Sequence, residues 1–135
     1  MKPDYVLTSE EPAIMPTLIE QFGVSFDDVV VTVGNKIHTK YALTADLLEH
    51  ELVHVKQQTA YEGGSDAWWQ RYLVDEKFRL SQEIEAYRVQ YNFLRGTMKD
   101  RNKLAVQAHR IAATLSGPMY GNCISFAAAK LQVTA

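Results

Sequence analysis

The stretch that most constrains this chain is His50-Glu51-Leu52-Val53-His54. Residues four apart on an α-helix lie on one face, so a helix here brings both imidazoles to one metal ion, and neutral imidazole suits zinc. Glu51 follows His50 by about 100° around such a helix, too far to join the ligands but near enough to reach a water on the ion. A carboxylate so placed can take that water's proton during attack on a carbonyl and pass it to the leaving amine. The setting suits a helix. Thr44 is a residue type that caps helix starts, Asp46 falls in the first turn, and Leu47, Leu48, Leu52 and Val55 offer apolar burial. Two histidines four apart can also decorate a surface helix, so the pentapeptide needs its context.

A catalytic zinc takes three protein ligands and a water whose pKa falls to about 7, so a third ligand must come from elsewhere. The next helix-like stretch offers Gln82-Glu83-Ile84-Glu85-Ala86-Tyr87. The HExxH pentapeptide at 50–54 is the zincin signature, and with Glu83-Ile84-Glu85-Ala86-Tyr87 downstream the chain resembles the gluzincin type of zinc metallopeptidase. In many gluzincins a second helix carries Glu-x-x-Ala-Asp or Glu-x-Glu-Ala-Asp, and its first glutamate binds zinc. The resemblance therefore implies zinc held by His50, His54 and Glu83, with Glu51 as general base and a protein or peptide substrate. It covers these two helices specifically and the remaining chain loosely. Tyr87 stands where the family has an aspartate that orients a ligand histidine, a hydrogen bond that a tyrosine hydroxyl can also accept. The run from His50 to Gln58 and the segment Ser116-Gly117-Pro118-Met119-Tyr120-Gly121-Asn122 are also similar to peptidase-like proteins of tailed phages and prophages. That likeness implies a phage structural or assembly partner and a virion-associated location as an option.

Glu83 and Glu85 differ by about 200° around a helix, so only one of them can face a metal. Spacing puts Glu83 on the stripe of Leu80 and Tyr87, and leaves Glu85 more solvated.

At 135 residues, 47% hydrophobic and 22% charged, the chain is expected to form a single domain over 1–135. A net charge of −2 provides no basic field for nucleic acid. Met1-Lys2-Pro3-Asp4-Tyr5 lacks the apolar segment of a signal peptide, and no apolar run approaches roughly 18 residues, so the expectation is a cytoplasmic protein with no membrane partner. The single cysteine, Cys123, excludes an internal disulfide and reads as a small buried residue.

Along the chain, residues 1 to 15 read as an extended lead-in. Pro16 opens a helix over Thr17 to Phe22 that stops at Gly23. Val29 to Val33 and Lys36 to Tyr41, around Gly34-Asn35, predict a hairpin just before the metal helix. Its edge strand either pairs with an extended substrate or only covers the helix. His38 is expected to face solvent or the cleft, since a fourth protein ligand would close the zinc. The metal helix is expected over Asp46 to Ala60, with Lys56, Gln57 and Gln58 wetting its end, and Gly63-Gly64 breaking the pattern. Ser65-Asp66 reads as the cap of a helix through Leu73, on which one of Trp68 and Trp69 packs inside and the other lies at a surface.

Further helices are expected at 76–95, ended by Gly96, at 100–115, ended by Gly117-Pro118, and from Phe126 to Leu131, capped by Ser125. Arg79 and Arg88 could support the site or meet a substrate carboxylate but read as solvated, and His109 reads as a surface or capping residue. Tyr120, in the loop 116–122 at a lip of the cleft, is a candidate to stabilise the tetrahedral oxyanion, unless it packs sideways on its own domain. Together these elements predict an α+β, mostly helical fold, a zincin-like minimal domain with a small hairpin packed on the HExxH helix. The alternative to peptide hydrolysis is a non-enzymatic zinc-stabilised structural or assembly protein, for example of a phage particle, whose metal four protein ligands would close.

Overall fold

Short β-branched runs and longer helical ones produce a mostly helical α+β protein. A computed structural model describes residues 2–135, and among them are six α-helices and a three-stranded sheet. The chain divides into two compact units, one up to Trp68 and one from Trp69 to Ala135. No helix among the described residues is long and apolar enough to cross a membrane.

The first unit contains β1 (Val6–Thr8), α1 (Met15–Phe22), β2 (Val31–Val33), β3 (Lys36–His38) and α2 (Ala45–Ala60), and ends within α3 (Gly64–Val74). The expected hairpin is present and short: β2 and β3 pair antiparallel with Val33 opposite Lys36. Gly34, at φ 63°, takes the first turn position, where only glycine is comfortable in a II′-type turn. The lead-in holds one more strand than expected, because β1 pairs parallel with β3, Leu7 opposite Ile37. The strand is three residues long, with Val6 and Leu7 both exposed and so no alternation, and its partner lies 30 residues away, so local pattern is silent there. β3 is thus the middle strand, in the order β1-β3-β2. Ile37, Leu52 and Val55 bury between sheet and α2, with Val30, Leu43 and Leu48 packed around them. Each such side chain contributes about 1.5–3 kcal/mol on burial.

α2 begins one residue before the expected start. Thr44 occupies the cap position in an extended conformation, but its side chain makes no capping bond. α3 starts at Gly64, so Ser65 and Asp66 lie inside its first turn and do not precede it. Trp68 is buried and Trp69 partly exposed, as expected of neighbours on a helix.

The second unit holds the rest of α3, α4 (Glu76–Thr97), α5 (Arg101–Leu115), a 3-10 turn (Pro118–Tyr120) and α6 (Phe126–Thr134). Side-chain oxygens of Asp75, Asp100 and Ser125 cap α4, α5 and α6. Gly96 does not end α4. It sits in the last turn, and Met98 is the cap. The core joins Leu80 and Tyr91 of α4 to Ala108, Ile111, Ala112 and Leu115 of α5 and Ala129 and Val133 of α6. Small alanines at the facing positions let these helices approach closely. Cys123 is exposed, against expectation, because it follows a left-handed pair, Gly121 at φ 72° and Asn122 at φ 51°, that turns the chain outward before α6.

Candidate metal centre

α2 places His50 and His54 one turn apart with both rings buried. Their Nε2 atoms stand 3.2 Å apart, the rings nearly perpendicular at 74°. Two nitrogens each 2.0–2.1 Å from one tetrahedral ion are separated by roughly 3.3–3.4 Å, so the pair fits a shared metal with almost no movement. Two imidazole lone pairs facing each other at this distance repel unless a proton or a cation lies between them. His54 is held further. Its Nδ1 lies 2.8 Å from Oε1 of Gln57, which makes Nδ1 the protonated nitrogen and leaves the Nε2 lone pair for a metal, and its ring meets the edge of Trp68 at 5.7 Å between centroids. His54 is thus oriented by a glutamine three residues along the same helix. Tyr87 packs against the apolar cluster of the second unit.

Glu51 is 6% exposed. Its Oε1 accepts the Thr32 hydroxyl at 2.9 Å and its Oε2 lies 3.9 Å from Nε2 of His50, beyond a direct hydrogen bond. The carboxylate is thus held by one oxygen, with the other on the side of His50. Tyr41, exposed in the β3–α2 loop, lies in the field of this group. Burial first, then the charges of Glu51 and Asp28, raise its phenol above the ordinary value. The Thr39 hydroxyl accepts from Tyr41 N–H at 3.2 Å and donates to Tyr41 C=O at 2.9 Å, fixing the loop there.

Gln58 does not wet the helix end. It is 1% exposed, because its amide nitrogen donates to Thr32 C=O at 2.8 Å and its oxygen accepts from Gly34 N–H at 2.7 Å. The glutamine completes the backbone bonding of β2 from α2, and so sets the distance between Thr32 and Glu51. It also covers part of the β2 edge, while β3, the strand nearest α2 in sequence, has neighbours on both sides. His38 is buried too, its Nδ1 2.8 Å from the carbonyl of Glu10. That bond ties β3 to the segment after β1.

In the second unit Glu83 is buried on α4 and Glu85 is exposed, as their spacing predicts. The Tyr72 hydroxyl donates to Oε2 of Glu83 at 2.6 Å. Tyr120 is 3% exposed within the 3-10 turn and hydrogen-bonds Tyr72, so its hydroxyl is engaged in the core and not displayed on a loop. Burial, followed by the Glu83 charge, lifts both phenols well above their ordinary values, which keeps them protonated. Arg79, expected in solvent, is buried because its guanidinium finds backbone oxygens: Nε donates to Tyr72 C=O at 2.7 Å, Nη2 to Leu73 C=O at 3.0 Å, and Nη1 to Met119 C=O. It closes the C-terminal end of α3 and fastens the turn bearing Tyr120.

The first unit thus brings His50, Glu51 and His54 together, and the second brings Tyr120 to Glu83 through Tyr72. Thr32, Gln57, Gln58 and Tyr72 are the members that sequence reading omits. Only Gln57, three residues after His54, had a local signal. Compared with known proteins, the chain matches no family model, no curated protein and no solved structure.

Proposed function

We propose that this chain is a zinc-dependent peptidase of zincin-like architecture, in which His50, His54 and Glu83 hold the metal and Glu51 is the general base. The observation that carries the reading is the pair of Nε2 atoms 3.2 Å apart with the buried Glu51 carboxylate beside them. Two imidazoles and one carboxylate are a donor set suited to zinc, and three protein donors leave a position open for chemistry. When bound, zinc supplies polarisation of the scissile carbonyl and a lowered pKa for water. Glu51 takes the proton from the attacking water and returns it to the amide nitrogen as the C–N bond breaks, so that one water is consumed for each bond cut. Thr32 holds Oε1 throughout and leaves Oε2 to move the proton. Gln57 keeps His54 in the tautomer that can ligate.

The second reading is a zinc-stabilised structural or assembly protein without activity, for example of a phage particle. Glu51 favours the enzyme: burying a carboxylate is costly, and a site that only binds metal has no use for a base. The test is to incubate the zinc-loaded protein with an unfolded polypeptide and follow fragments by mass spectrometry. Metal-dependent fragments are expected, abolished by a chelator. An intact polypeptide beside a metal-loaded, folded protein would support the structural reading instead.

A further inference from the structure

We propose that Tyr72 is a positioning residue that makes Glu83 a one-oxygen ligand, with Tyr120 holding Tyr72 from behind. The inference rests on the reading of Glu83 as a metal ligand. A carboxylate can grip an ion with one oxygen or two. The Tyr72 hydroxyl, 2.6 Å from Oε2, makes a charge-assisted bond of the strong, short kind and engages that oxygen. Oε1 would then be the ligand oxygen. With two imidazole nitrogens it would make three protein donor atoms, the number that keeps a tetrahedral zinc open at its fourth position. A two-oxygen grip would add a fourth donor and fill that position.

Tyr72 is itself immobilised. Its carbonyl accepts from Arg79, the Arg79 guanidinium lies 5.6 Å from the centroid of its ring, and the Trp69 ring meets it edge-on at 5.0 Å. A phenol has one proton, and Tyr72 gives its own to Glu83. Tyr120, Tyr72 and Glu83 are three buried groups on three elements of one unit.

Tyr72→Phe removes the hydroxyl and keeps the ring. The test compares zinc affinity, by competition with a chelating dye, and the visible spectrum of the cobalt-loaded protein, which absorbs strongly when four-coordinate and weakly at higher coordination. Tyr72→Phe is expected to weaken zinc binding by about 10–100-fold and to reduce cobalt absorption as Glu83 takes the ion with both oxygens. Wild-type affinity and spectrum in Tyr72→Phe, with binding lost in Glu83→Ala, would overturn the positioning role and leave the ligand standing. Retained binding in Glu83→Ala would overturn the ligand and the proposal with it. If Tyr72→Phe does not fold, Tyr120→Phe carries the test: a loss of zinc affinity outside titration error is expected, and unchanged affinity overturns the hold of Tyr120 on Tyr72 and the proposal with it.

Discussion

Replacing Glu51 with glutamine is expected to lower kcat/KM for peptide hydrolysis by about 10²–10⁴-fold while bound zinc stays near its wild-type content. The amide matches the carboxylate in shape, and its oxygen still accepts from the Thr32 hydroxyl, which donates to Oε1 at 2.9 Å in the native protein. Fold and metal ligands are therefore retained. The basic oxygen 3.9 Å from Nε2 of His50 becomes an NH₂ group that cannot take a proton. The measurement is a pair of steady-state assays at equal metal loading. Equal rates in the two proteins would remove Glu51 from the chemistry.

The second large effect separates two glutamates only two positions apart. Glu83→Ala is expected to abolish stoichiometric zinc binding and to lower stability even without metal. The Tyr72 hydroxyl loses its acceptor in a buried place, which costs about 1–3 kcal/mol. Glu85 is exposed, so Glu85→Ala should stay within about 0.5 kcal/mol of wild type in urea unfolding and keep its metal. Metal retained by the first variant and lost by the second would move the ligand to the other side of α4.

Much of this organisation was legible in the residues. The helical period carried α2, α4 and α5, Gly34-Asn35 carried the hairpin turn, and the four-residue spacing carried the paired histidines. What escaped has a common cause. Gln58, Arg79 and His38 look like surface residues by type, yet each is buried because it meets backbone groups far away in the chain: Thr32 for the glutamine, Met119 for the arginine and Glu10 for the histidine. Such pairings depend on tertiary placement, which neither period nor composition encodes. Tyr120 takes the second of the two courses open to it in the sequence, packing on its own domain, because a tight 3-10 turn fastened by Arg79 folds the ring into the core. β1 was hidden by its brevity and its parallel, non-local pairing.

The central claim, one metal held by this chain with an open position beside Glu51, is tested most directly by counting zinc. Protein stripped of metal and titrated with zinc should bind about one ion per chain and melt at a higher temperature when loaded, because a ligand that binds only the folded state stabilises it. His50→Ala and His54→Ala should abolish both effects. A chain that takes up no stoichiometric zinc after supplementation, or whose melting temperature is the same with and without it, would contradict the account.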